Sequence, residues 1–171
     1  PITPPYDRSP QIMARYNRWD LNGFDVDATA DTTRFEADYS RIPGGTSSVL
    51  RNGQRSFAAA QISRPWLKPW GFVIPKIQIH ATRYQLDSAL ANGQFEANRL
   101  LPTFSLDTGL VYERDATFLG RGLRQTLEPR AFFVRTTYKD QSQLPSYDSG
   151  ATDFNLTTIY SENPYVGQDR I

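Results

Sequence analysis

The chain has 171 residues, with Lys+Arg 19 against Asp+Glu 18, a net charge of +1, no cysteine and a hydrophobic content of 39%. That balance argues against a dedicated nucleic-acid binder, which carries a basic stripe, and the missing cysteines exclude disulfides, thiolate metal sites and cysteine nucleophiles. No apolar run approaches the roughly 18 to 20 residues of a spanning helix, while an aromatic content of 13% is too rich for a disordered chain.

Gly, Pro, Asn and Asp interrupt nearly every helical window, and β-branched and aromatic residues fill the intervals, so the chain reads as strands. Six segments are expected, at 11–19, 24–39, 54–65, 72–86, 99–114 and 123–138. In the second, Phe24, Val26, Ala28 and Ala30 alternate with Asp25, Asp27, Thr29 and Asp31. In the fourth, Val73, Pro75, Ile77, Ile79 and Ala81 oppose Lys76, Gln78, His80 and Thr82. The fifth sets Leu100, Pro102, Phe104, Leu106, Leu110 and Tyr112 against Thr103, Ser105, Asp107 and Glu113, and the sixth sets Leu127, Pro129, Ala131 and Phe133 against Thr126, Glu128 and Arg130. A two-residue period of this kind gives a sheet with one apolar and one charged face.

The connections alternate short and long: 20–23 short, 40–53 long, 66–71 short, 87–98 long, 115–122 fairly short, 139 onward long. An antiparallel meander then gathers its short turns at one end and its long loops at the other, as transmembrane β-barrels do. Trp19, Trp66 and Trp70, with Phe24, Phe72 and Phe118, fall beside the short turns, and Tyr39, Tyr84 and Tyr138 near the long loops, like two interfacial girdles. The expected fold is therefore all-β, an antiparallel meander of about six strands within a large transmembrane outer-membrane β-barrel. Barrels start at 8 strands and hydrocarbon does not tolerate open edges, so the chain reads as an internal piece of one barrel domain.

The segment Gln125-Thr126-Leu127-Glu128-Pro129-Arg130, followed by Tyr138-Lys139-Asp140-Gln141-Ser142, resembles the LptD family of lipopolysaccharide-assembly outer-membrane proteins. The likeness continues through Tyr147-Asp148-Ser149, Thr152-Asp153-Phe154 and Asp169-Arg170-Ile171, with Val111-Tyr112-Glu113-Arg114-Asp115 fitting the same barrel. The resemblance implies a large barrel of the Gram-negative cell outer membrane, a periplasmic domain that receives lipopolysaccharide, an LptE-like lipoprotein plug in the lumen, and no enzymatic activity. Implied partners are that plug, lipopolysaccharide and outer-membrane lipid, with no nucleic acid and no cofactor.

The chemical constellations have plain readings. His80, the only histidine, reads as a polar lumen-facing residue, and Asp25, Asp27 and Asp31 on one flat strand read as a hydrated wall, not a cation site. Asp107 and Glu113 stand about 20 Å apart along a strand, too far to act on one bond. Gly44-Gly45, Asn92-Gly93 and Gly120-Arg121-Gly122 read as turns. Glu128-Pro129-Arg130 reads first as a lipid-facing bulge and second as a lumenal partner contact.

The alternation assigns Ala28, Ile77, Leu106, Leu110 and Phe133 to lipid, and Asp27, Gln78, His80, Asp107, Glu113, Glu128 and Arg130 to the lumen. Trp19, Trp66 and Trp70 are the interfacial rings, and no metal ligands are expected. Residues 139–171 are expected to form a long extracellular loop region that folds over or into the lumen and meets the lipoprotein through Tyr147 and Phe154. Matching charges across the last hairpin predicts a turn centred on Phe118 and Leu119, with Asp107 opposite Arg130 and Glu113 opposite Arg124. On the other face the same register opposes Leu106 with Ala131, Leu110 with Leu127 and Phe104 with Phe133. The reading from another class is a soluble carbohydrate-binding β-sandwich, with an all-β hydrolase as a third.

Overall fold

The chain is seen in a computed structural model that describes residues 6–38 and 50–171, so Tyr39 and the Gly44-Gly45 pair fall outside the described residues. Its strands are β1 (Tyr6–Leu21), β2 (Phe24–Ala37), β3 (Gly53–Ser63), β4 (Trp66–Lys68), β5 (Gly71–Leu86), β6 (Glu96–Leu110), β7 (Tyr112–Phe118), β8 (Arg121–Leu127), β9 (Arg130–Thr136), β10 (Gly150–Ala151) and β11 (Tyr165–Val166). The main sheet runs β1-β2-β3-β5-β6-β9 with every neighbour antiparallel. Neighbours in sequence are neighbours in space, which is the expected meander.

The short strands are continuations of long ones. Trp66 pairs with Val73 in the same register in which Ser63 pairs with Lys76, so β4 extends β3 past Arg64-Pro65. Likewise β7 extends β6 and β8 leads into β9, because Tyr112 pairs with Leu127 in the register that sets Thr108 against Ala131. Proline interrupts the ladder by lacking a donor, and it shifts nothing. The Pro129 carbonyl still accepts the Leu110 N–H at 3.0 Å, and the Pro75 carbonyl accepts that of Arg64 at 3.2 Å. The bulge expected at Glu128-Pro129 is therefore absent.

The register of the last hairpin differs from the expectation by two residues. Phe118 pairs with Arg121, so the turn is Leu119-Gly120 instead of Phe118-Leu119, and Gly122 lies in β8 instead of a turn. Leu119 and Gly120 both have positive φ, 50° and 74°, as a two-residue type I′ turn requires. Turn geometry outweighed the charge matching. Asp107 stands opposite Phe132 and Glu113 opposite Thr126; Leu106 meets Phe133 and Phe104 meets Arg135. The intended charge pairs form along the diagonals, Arg130 to Asp107 at 2.6 Å and Arg124 to Glu113 at 3.3 Å. Phe104 and Phe133 also meet diagonally, with ring centroids 6.3 Å apart. Long side chains reach diagonal neighbours, so these contacts tolerate the shift.

The first hairpin turns at Asn22-Gly23 with φ of 54° and 86°, another type I′ turn. The apolar face is bare: Ile12 is 66%, Ile77 54% and Leu100 60% exposed. No second sheet covers it among the described residues, which leaves a sandwich without its core. Burial lies on the polar face, where Phe35, Arg55, Tyr84, Arg99 and Leu101 are almost completely covered by residues beyond β9.

Candidate functional site

The cross-strand pairs build the polar face. Phe35 is beside Gly53, Thr33 beside Arg55, Arg55 beside Tyr84 and Thr82 beside Arg99, so the two-residue period brings two arginines and two aromatics together near the long-loop end. Residues 137–171 fold back over this face as a strap, held to itself by the short β10–β11 pair.

Its deep anchor is a buried ion-pair cluster. Arg55 donates from Nη1 to Asp148 at 2.7 Å and to Asp169 at 2.9 Å, and from Nη2 to Asp148 at 2.8 Å. Asp169 also accepts the Tyr84 hydroxyl at 2.9 Å and the backbone N–H groups of Tyr147 and Asp148 at 2.6 and 2.9 Å. Arg99 donates to Gln141, to the carbonyls of Asp169 and Gln168, and to Thr82. A buried guanidinium is tolerated when it is paired and hydrogen-bonded, and here the strap meets the Nη groups of both arginines while each Nε stays without a partner. The Tyr147 ring stacks on Phe35 at 4.2 Å and meets Tyr6 edge-on at 4.9 Å. Gly53 makes room for it: a Cβ there would stand 2.7 Å from the Tyr147 hydroxyl and 2.6 Å from the Gln85 carbonyl. At the strap's other arm Gly167 has φ +79°, and a Cβ there would collide with the Asp148 backbone.

A second anchor lies farther toward the short turns. Glu162 accepts from Lys76 at 2.9 Å and from Ser105 at 3.0 Å, while Arg130, paired with Asp107, stacks 4.1 Å over the Tyr160 ring. Burial raises the Asp148 carboxyl, but its hydrogen bonds and ion pair with Arg55 outweigh that and hold it below the usual carboxylate range. Glu162 behaves alike, burial opposing and Lys76 and Ser105 prevailing. Between the anchors the strap presents Phe154 and Leu156, 85% and 90% exposed.

The sequence-derived residues fall as follows. Asp27, Gln78, His80, Asp107, Glu113, Glu128 and Arg130 share the polar face; Ala28, Ile77, Leu106, Leu110 and Phe133 share the other. Asp27 accepts from Arg15 and Asn17, and Asp31 from Gln11 and Thr33, so these carboxylates serve the wall. No group of three or more potential metal ligands gathers among the described residues. His80 packs 5.9 Å from Phe57, with Nδ1 unpartnered, and Glu128 is exposed. Trp66 and Trp70 are exposed beside the second short turn and Trp19 beside the first; Arg64 lies over both Phe24 and Trp66. Tyr84 is no girdle residue. Its parity puts it on the polar face, where it is 0% exposed beneath the strap. Tyr147, at 6% exposure, faces the sheet, which leaves Phe154 as the outward residue of the expected contact pair.

The whole chain, residues 1–171, matches the family described as LptD, LPS transport system D. The chain belongs to the LptD family. It is 55% identical over 177 residues to the LPS-assembly protein LptD of a Polaromonas species and 52% identical over 171 residues to that of Albidiferax ferrireducens, in each case covering 100% of this chain and 21% of the relative. The LPS-assembly protein LptD of Ralstonia nicotianae is 43% identical over 175 residues. The chain thus spans about a fifth of the length of the curated relatives it matches. LptD proteins are Gram-negative outer-membrane proteins of transport and assembly, not enzymes, which sets aside the sandwich and hydrolase readings. The sheet is part of the LptD barrel.

The buried Arg55, Arg99 and Asp169 and the half-buried Asp148 and Glu162 escaped the residue-by-residue reading. Their signal was present in Tyr147-Asp148-Ser149 and Asp169-Arg170-Ile171, two acidic groups on a long connection facing a wall with two arginines.

Proposed function

We propose that this chain is a wall segment of the outer-membrane lipopolysaccharide translocon, its apolar face toward lipid and its polar face toward the lumen. The supporting observation is the strap: a long connection seated on the polar face by ion pairs to a buried arginine suits the inside of a closed barrel, where a polar face needs no lipid contact. On this reading residues 137–171 leave the wall on the extracellular side and narrow the lumen as a fixed inner lining, with Trp19, Trp66 and Trp70 in the periplasmic girdle. The exposed Phe154 and Leu156 are offered to an LptE-like lipoprotein plug, and lipopolysaccharide passes along what remains of the polar surface.

Photocrosslinkers at Phe154 and Leu156 in the full-length protein test this. Capture of the lipoprotein at both, with none at Tyr147, is expected. Capture at lumenal wall positions such as Gln78 but never at the two strap positions would overturn the assignment.

A further inference from the structure

The third hairpin is longer than the barrel needs. From the cross-strand row Asp25–Ser63–Lys76–Ser105, the turn residues Asn22, Trp70 and Leu119 lie three, six and fourteen residues out. Strands tilted by about 35–45° at ~4.8 Å spacing step by roughly 2–3 residues per hairpin, so the last step leaves about five residues unexplained. Most of β7 and β8 is this excess, and together they form a ribbon reaching about 23 Å past the second turn. It is exposed along nearly its whole length.

One edge of this ribbon is open for a geometric reason. Val111 donates to the Trp70 carbonyl at 2.8 Å, and there the preceding hairpin turns back. Beyond it β7 pairs only with β8 among the described residues. Even-numbered residues such as Leu110 direct their N–H groups toward β9 and β8, so Glu113, Asp115 and Thr117 direct theirs, and their carbonyls, to the open side. A later barrel strand can cover β8. None can reach β7, because the strand position on that side is already occupied by β5 and its turn.

Open edges of this length recruit strands unless they are managed. The charges select the recruit. Glu113 and Asp115 share a single guanidinium, Arg124, at 3.3 and 3.7 Å, so the polar face carries one carboxylate more than it pairs. The other face presents Ala116 and Phe118, the latter 67% exposed, next to Arg114, whose Nε donates to Gln125 on β8 at 2.7 Å. Two copies of the ribbon would set like carboxylates side by side.

We propose that the open edge of β7 accepts an extended strand from the part of the same polypeptide that lies outside these residues, with Lys or Arg on the side of Glu113 and Asp115 and apolar residues on the side of Ala116 and Phe118. Relatives are about five times as long as this chain, and a tethered segment arrives at high effective concentration. The inference rests on the barrel fold, not on the lipopolysaccharide reading or the lipoprotein contact.

Residue-resolved hydrogen exchange on the full-length protein in a bilayer tests it. The amides of Glu113, Asp115 and Thr117 should exchange at least about 100-fold more slowly than unpaired amides, alongside the ladder amides of Arg114 and Ala116. Free-amide rates at the three odd positions would overturn the proposal. Asp115→Pro removes an outward N–H and no β8 ladder bond; Thr117 should lose its protection while Ala116 keeps it, and unchanged Thr117 protection would count against an added strand. A photocrosslinker at Ala116 should yield a crosslinked peptide from the same chain. An adduct to a separate protein, or none, would refute the assigned source. All these outcomes are independent of capture at Phe154.

Discussion

Two ends of the polar face carry the same chemistry in different surroundings. At the long-loop end, Arg55 pairs with Asp148 and Asp169 with a side-chain exposure of 1%; on the projecting ribbon, Arg124 pairs with Glu113 at 65% and 50%. The first cluster is walled by Phe35, Tyr84 and Tyr147, and the second stands in solvent. Solvent screens the ribbon pair and allows its partners to separate at little cost, whereas the strap cluster must stay complete once its groups are desolvated. The lesson is that one alternating charge pattern gives a lock where a loop covers it and only a solvated surface where none does.

The contrast can be broken most strongly at Asp169. Asp169→Ala leaves Arg55 and the Tyr84 hydroxyl short of a buried acceptor and should cost about 3–5 kcal/mol of strap docking. Limited proteolysis should then cut within 139–171 while the sheet stays resistant. Gly167→Ala forces an alanine to φ +79° against the Asp148 backbone and should loosen the same segment by about 1–2 kcal/mol, read as faster amide exchange at Asp148 and Asp169.

Acid should release the strap. Because Asp148 and Glu162 are held below the usual carboxylate range, their contribution is complete above that range and is lost as pH falls through the depressed values. Strap release, followed by proteolysis, should therefore begin below about pH 4, with no comparable change near neutrality. The smallest effect belongs to Arg124→Ala, worth about 0–1 kcal/mol by ribbon exchange rates.

Much of the fold was legible. Alternation gave both faces of β2, β5, β6 and β9, and the order of short and long connections gave the meander. Register failed at the last hairpin because charge pairs tolerate a diagonal offset, while positive φ at Leu119 and Gly120 does not tolerate a misplaced turn. Pro65 and Pro129 obscured continuity, since a proline can lack a donor without bending the register. The seat of the strap was hidden for another reason. Arg55 and Asp169 are far apart in sequence, and no local period announces that a long connection returns to the wall. Tyr84 illustrates the cost of weighing an aromatic by its place near a loop when its parity already put it on the polar face.

The most direct test of the central claim, one face to lipid and the other beneath the strap, is a spin-label accessibility scan across residues 76–82 of the full-length protein in a bilayer. Positions 77, 79 and 81 should be accessible to oxygen dissolved in hydrocarbon, and 76, 78, 80 and 82 should be shielded from it. The shielding should persist when Asp169→Ala releases the strap, while access to a water-soluble nickel chelate rises at the even positions alone. Oxygen access at the even positions, or a profile with no two-residue period, would contradict the account.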